Sequence, residues 1–160
     1  MSTETVHAQT VVSRLEPCGL IAVETWNASR APVVAIDEPW RMIRVEPTVV
    51  WLRGPLDEAD AVLARATETL GETGAATDLS GGFERIRISG PGWRAALMFG
   101  GVFDAEDPAF GPGATAGTLL HHLAVRYDVI DADTVEIYVA PSYAADLLHH
   151  LHDAARKSSV

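Results

Sequence analysis

The chain has 160 residues, 48% of them hydrophobic and 21% charged, which is the balance of one globular domain with a sizeable core. Its formal net charge of −10 opposes phosphate backbones and anionic membrane surfaces, so neither nucleic acid nor membrane is an expected partner. Its single cysteine, Cys18, excludes an internal disulfide and any multi-cysteine metal or iron–sulfur site.

In chain order, residues 1–15 are mostly polar and read as an N-terminal arm. A single domain is expected over 16–157, with a tail at 158–160. Gly19–Val23 reads as a strand. Residues 27–47 carry Pro32, Pro39 and Pro47 and read as irregular, with a short strand at Met42–Val45. Thr48–Arg53 is a strong β run, ended by Gly54-Pro55, which suits a helix start. Leu56, Ala59, Leu63, Ala66 and Leu70 fall at steps of three and four and predict the apolar stripe of a first helix. Asp57, Glu58 and Asp60 favour the positive end of that helix, and Gly71 and Gly74 end it.

Strands are expected at Ala75–Ser80 and Phe83–Ser89, with Gly81-Gly82 as a hairpin turn between them. Ile86 and Ile88 alternate with Arg85, Arg87 and Ser89. Pro91 opens a short helix through Trp93 and Leu97, and a Gly-, Pro- and acid-rich loop runs over 101–113. One long strand is expected at Thr115–Ile130, a turn at Asp131-Ala132-Asp133, and a return strand in which Val135, Ile137 and Val139 alternate with Thr134, Glu136 and Tyr138. The last helix starts near Ser142, with Tyr143, Leu147, Leu148, Leu151 and Ala155 as its buried face. The sum predicts an α+β fold with a largely antiparallel sheet and helices packed on one side.

Asp146, His149 and Asp153 share a helical face and have the spacing for zinc or nickel. That face lies opposite the apolar stripe, so it reads as solvated. Consecutive strand residues point to opposite faces, so His121 reads as a core or interface histidine, and His122 as part of a polar ladder with Arg126 and Asp128. Asp78 at a strand end reads as a turn residue. Gly90-Pro91-Gly92 lacks phosphate-loop spacing and reads as a structural turn. Cys18 has no activating sequence context and reads as inert. No catalytic, cofactor-binding or metal residue is therefore assigned. Trp51 and Trp93 lie in periodic elements and read as core. Trp40 lies among Pro39, Arg41 and Met42, outside any firm element; these residue types are enriched at interface centres, so Trp40, Arg41 and Met42 are the candidate interface, and a satellite cluster under a loop is the plainer alternative.

Several short motifs occur in a characteristic order. They are Val49-Val50-Trp51-Leu52, Gly54-Pro55 and Asp57-Glu58, then Asp78-Leu79-Ser80, Ser89-Gly90-Pro91 and Thr118-Leu119-Leu120. Across residues 48–155 the succession resembles the gamma subunit of heterotetrameric sarcosine oxidase, a relative of the folate-binding aminomethyltransferase fold. The resemblance implies a small aminomethyltransferase-like domain, too short for the whole three-lobed enzyme. It implies a non-catalytic subunit in a cytoplasmic complex that oxidises a secondary N-methyl amine. Flavins, NAD and tetrahydrofolate would lie on the partner subunits and zinc on a small partner, none of them on this chain. The partners implied are a large folate-domain subunit and a flavin-binding subunit. A stand-alone tetrahydrofolate-binding protein and an assembly protein without oxidase partners are the alternatives. The N-terminus carries no signal pattern and no apolar run reaches membrane length, which makes the cytoplasm the expected location.

Overall fold

Strands with alternating apolar and charged residues need two different environments, one on each face. The chain supplies them by stacking two antiparallel sheets. A computed structural model describes residues 9–29 and 32–158. The strands are β1 (Val11–Arg14), β2 (Gly19–Thr25), β3 (Arg41–Glu46), β4 (Val49–Gly54), β5 (Gly74–Asp78), β6 (Glu84–Ser89), β7 (Thr115–Leu120), β8 (Leu123–Asp131) and β9 (Thr134–Val139). The helices are α1 (Ala59–Leu70), α2 (Trp93–Met98) and α3 (Ala144–Lys157). One sheet has the order β1-β6-β9-β8-β7 and the other β3-β4-β2-β5. Val11–Arg14, within the expected arm, form the edge strand β1 beside β6.

Each sheet carries helices on its outer side only. Val12, Ile86, Ile88, Tyr127, Val129, Val135, Ile137 and Val139 of the five-stranded sheet bury themselves against Trp93, Leu97, Leu147 and Leu151 of α2 and α3. Ile21, Val23, Val50 and Leu52 of the four-stranded sheet do the same against Val62, Ala66 and Leu70 of α1. The inner faces meet across a smaller cluster of Leu20, Ile43, Trp51 and Tyr138. The expected α+β class and antiparallel pairing hold, with helices on one side of each sheet.

Four local expectations are corrected. Gly81-Gly82 is not a hairpin turn: β5 pairs with β2 and β6 with β1 and β9, so the glycines carry the chain from one sheet to the other. The long strand at Thr115–Ile130 is two strands, folded back at His121-His122 with Leu120 opposite Leu123. Leu56 is half exposed, because Leu56–Glu58 form a 3₁₀ turn ahead of α1, and Val62 is buried instead. Tyr143 is half exposed for the same reason, lying in the 3₁₀ turn Pro141–Tyr143 before α3, and Ser142 makes no cap bond.

Trp40 belongs to the core under α1 and is 8% exposed. Its Nε1–H donates to Glu58 Oε2 at 2.8 Å. Its ring lies directly on Gly54, where a Cβ would come within 2.3 Å of an indole carbon. Glycine there is a packing requirement. Trp40→Ala is therefore expected to cost about 3–5 kcal/mol of stability, as large-to-small core changes do. Gly54→Ala is expected to destabilise by overpacking. Shifts in the denaturant midpoint of each variant check both.

Candidate functional site: the arginine layer and the histidine groove

Two places gather ionisable side chains. The first is the layer between the sheets. On β9, Glu136 points inward and is fully buried, and on β8 Asp128 does the same. Asp128 was expected in a polar ladder and Glu136 on the polar face of an alternating strand; the second sheet covers both. A buried carboxylate needs opposite charge and hydrogen bonds. Arg41 of β3 gives Asp128 a two-pronged pair, Nε–H to Oδ2 at 2.8 Å and an Nη2–H to Oδ1 at 2.7 Å. Arg41 also donates to the Val129 carbonyl at 3.1 Å. Glu136 draws three guanidinium groups: Arg87 Nη2 at 2.7 Å, Arg85 Nη1 at 3.1 Å and Arg53 Nη2 at 3.6 Å. Arg53 comes from β4 of the opposite sheet, so both carboxylates tie one sheet to the other.

These contacts decide the protonation of the layer. Burial alone pushes the Glu136 carboxyl up. The Arg87 hydrogen bond and the charges of Arg53, Arg85 and Arg87 outweigh it and hold the carboxyl below the ordinary value. The hydrogen bond to Asp128 raises Arg41 against the opposing effect of burial. Burial lowers Arg126, whose guanidinium lies 5.6 Å from the Trp51 ring centroid. Burial also drives the hydroxyls of Tyr127 and Tyr138 well up, so both stay protonated. The Nε–H groups of Arg53, Arg85 and Arg87 are buried without a hydrogen-bond partner among the described residues. Each such donor costs about 1–3 kcal/mol.

The second place is a groove of about 510 Å³ between the tip of the β7–β8 hairpin and α3, lined by His121, Leu123, Tyr143, Asp146, His149, His150 and Asp153. The backbone reverses through His121 (φ 49°) and His122 (φ 67°), the two-positive-φ pattern of a type I′ turn. His121 is thus a turn residue rather than a core strand residue, and His122 does not join a ladder with Arg126 and Asp128. The His121 ring stacks on His150 at 4.4 Å and 21°. His150 Nε2 lies 2.8 Å from the Phe99 carbonyl, which can only accept, so that nitrogen carries the proton. His150 also stacks on the Phe99 ring at 5.9 Å, and Lys157 Nζ sits 4.4 Å from the centre of that ring.

His149 is 84% exposed with Nε2 3.9 Å from Asp153 Oδ2, on the solvated face expected of it. Among the described residues no three His, Cys, Asp or Glu side chains stand so as to hold a metal ion. Asp78 is exposed and its Oδ1 accepts the Ser80 N–H at 2.8 Å; the hydrogen bonds from Ser80 lower its carboxyl. That is a turn role. Gly90 (φ 103°) and Gly92 likewise serve a strand-to-helix turn, with the Gly92 N–H donating to Thr10 Oγ1. Cys18 is half-buried and burial raises its thiol. Of the candidate interface, Trp40 and Arg41 are committed inside the fold, and Met42 is 39% exposed.

Two facing antiparallel sheets with helices outside make an α+β domain whose fold solved structures share. A chain of the heterotetrameric sarcosine oxidase from Corynebacterium sp. U-96 shares the fold, with a TM-score of 0.80 and 18% identity over 94% of this chain and 86% of that one. The glycine cleavage system aminomethyltransferase T from Bartonella henselae shares it with a TM-score of 0.69 and 16% identity. The match covers 94% of this chain and 47% of that enzyme, so the chain spans about half its length. The regulatory subunit of aspartate kinase from Thermus thermophilus follows with a TM-score of 0.52 and 14% identity, over 90% of this chain and 97% of that one. No protein-family model matches the chain, and no curated protein matches it by sequence. The fold is the one that the motif resemblance implied.

Two measurements test the sites. The Glu136 carboxyl is depressed in the fold, so its stabilising effect is full above its unfolded value, near 4.5, and is lost as pH falls through the lower folded value. Stability is expected to drop below about pH 4.5, and Glu136→Gln to flatten that part of the profile; unfolding at pH 3–7 checks it. His122 adopts a left-handed conformation that costs a non-glycine residue about 1 kcal/mol. His122→Gly is expected to raise stability by about that amount, read as a higher thermal midpoint.

Proposed function

We propose that this chain is a non-catalytic, gamma-type subunit of a heterotetrameric, sarcosine oxidase-like flavoenzyme complex in the cytoplasm. The complex would oxidise a secondary N-methyl amine. Flavins, NAD and tetrahydrofolate would reside on a large folate-domain subunit and a flavin-binding subunit, with zinc on a small partner. This chain would stabilise their assembly. The observation that carries the reading is the end-to-end match to one chain of such an enzyme, 94% of this chain on 86% of that one. The aminomethyltransferase match, by contrast, covers only about half of the larger enzyme.

The interior chemistry supports a structural role. Both fully buried carboxylates, Asp128 and Glu136, are held by arginines across the sheets. No helix among the described residues is long and apolar enough to cross a membrane. Exposed apolar residues gather near the hairpin tip: Phe99 against His150, Val102 in the loop joined to Leu120 through Gly101, Leu119 on β7, and Tyr143 in the histidine groove. This end is our candidate for the subunit contact, and Met42, exposed on β3 of the other sheet, is a separate one.

The test is to isolate the chain from its native cell and record the copurified proteins and their flavin absorbance. A flavoprotein partner in fixed stoichiometry is the expected result. A chain that is alone and binds tetrahydrofolate directly would replace this reading with the stand-alone folate-binding one. In the reconstituted complex, Asp78→Asn, His121→Ala and His149→Ala are each expected to leave turnover per assembled complex within about twofold. Loss of a general acid or base slows turnover by about a hundredfold or more. Turnover and complex yield, measured separately, distinguish the two outcomes.

A further inference from the structure

The arginine layer holds more positive charge than its carboxylates neutralise. Arg41 and Asp128 balance each other in a two-pronged pair. Glu136 alone faces Arg53, Arg85 and Arg87. Its two oxygens are taken at hydrogen-bond distance by Arg87 and Arg85. Arg53 stays 3.6 Å away, beyond a hydrogen bond. All three guanidinium groups keep a buried Nε–H that nothing among the described residues accepts. A forked cation with free donors, drawn partly out of water, is the chemistry that binds carboxylate or phosphate.

The cluster also has an approach. The side chains grade from 41% exposed at Arg87 to 19% at Arg53 and 12% at Arg85. Arg85 forms a wall of a recess of about 60 Å³, with Pro17, Cys18, Gly81 and Phe83 as its less polar sides. That is room for more than one water-sized group. Two acids also line the recess: Glu84 is paired by Arg14, which binds both of its carboxylate oxygens, and Glu16 accepts from Arg85 Nη2 through its backbone carbonyl at 3.1 Å.

We infer that Arg53, Arg85 and Arg87 form a binding site for a small oxyanion, a carboxylate or phosphate group, with Glu136 as the fixed carboxylate that holds the guanidinium groups together. The recess beside Arg85 accommodates a short apolar body attached to the anion. Arg53, beyond hydrogen-bond distance of Glu136, supplies the free donors, Arg85 supplies charge at the recess wall, and Arg87 is the most exposed of the three. The site stands independently of the subunit role, because every residue in it belongs to this chain.

The full-length chain is titrated with sodium phosphate, sodium acetate and sodium isobutyrate at ionic strength held constant with sodium chloride. The side-chain Nε–Hε signals of the arginines are followed by nuclear magnetic resonance. The Arg53 and Arg85 signals are expected to shift saturably, while that of exposed Arg156 does not. Tighter phosphate than acetate binding assigns a phosphate ligand. Tighter isobutyrate than acetate binding assigns a carboxylate with an apolar body. Arg53→Gln is expected to weaken binding about tenfold or more, as loss of a charged hydrogen bond does. Arg53→Lys keeps the charge and loses the fork, and is also expected to bind more weakly; it decides the question if Arg53→Gln does not fold. Shifts that never saturate, that match those of Arg156, or that persist unchanged in a folded Arg53 variant overturn the site and leave general ionic screening.

Discussion

Two carboxylates sealed between two sheets, Glu136 and Asp128, constrain this fold more than any other feature. A buried carboxylate is tolerated only where cations and donors surround it, and breaking one such pair leaves an uncompensated charge in low dielectric. On the five-stranded sheet Arg87, Glu136 and Asp128 stand side by side across β6, β9 and β8. On the four-stranded sheet Leu20, Arg53 and Arg41 stand side by side across β2, β4 and β3. The two rows face each other, and Arg41 and Arg53 reach across. A one-residue slip of either sheet would turn its row outward, because side chains alternate faces. The ion pairs therefore specify which sheet face meets which, and at what register. The apolar cluster of Leu20, Ile43, Trp51 and Tyr138 supplies the burial beside them but is less selective.

The same constraint explains the order of layers. The outer faces can be wholly apolar because helices cover them, and α2, α3 and α1 do so. The inner faces carry both signs of charge, so they need each other. The chain passes between the sheets at Gly81-Gly82, where Gly81 has a φ of 80° and takes the tight bend at no steric cost. At the far edge Thr115 on β7 donates its hydroxyl to the Arg44 carbonyl near the end of β3, a second tie between the sheets. The His121-His122 turn lies at the end of the β7–β8 hairpin, braced by the His121 N–H to the Gly100 carbonyl and by the His150 ring. Histidine is among the residues that tolerate this conformation, and the ring contact gives a reason for its presence where Asn-Gly is the commoner choice.

Much of the architecture was legible in the sequence because it is local. The β4 run, the α1 stripe from Ala59 to Leu70 and the apolar face of α3 at Leu147 and Leu151 all follow from periodicity. What was not legible was which elements face which. Arg85, Arg87, Glu136 and Asp128 alternate with apolar residues, which is also the pattern of a strand with one wet face; only the second sheet makes that face an interior. The opposite signs on different strands were the available signal. The Gly81-Gly82 hairpin failed because neighbouring strands in sequence need not pair. The His121-His122 turn was missed because it contains no glycine or asparagine. The clue was length, since a strand spanning Thr115 to Ile130 is longer than strands usually run. Leu56 and Tyr143 were misplaced because each sits in a 3₁₀ turn before its helix, out of phase with the helical stripe. Trp40 carried no periodic context, and its partners Gly54 and Glu58 lie on other elements.

The distribution of charge has a consequence for association. The chain has 12 basic and 22 acidic residues. Five of the basic ones, Arg41, Arg53, Arg85, Arg87 and Arg126, belong to the inter-sheet layer, and two of the acidic ones, Asp128 and Glu136, are buried there. Among the described residues that leaves six basic against nineteen acidic ones outside the layer, so the surface away from the layer is strongly acidic. Burying guanidinium groups to bind the sheets therefore sharpens the field that a partner meets. Such a field favours encounter with a basic surface and disfavours self-association, with an effect on rate that falls as salt is added. The exposed apolar residues near the hairpin tip sit within that field. Contact there would combine apolar burial with charge complementarity to a basic rim on the partner, and the interior ion pairs and the docking preference would follow from one allocation of arginine.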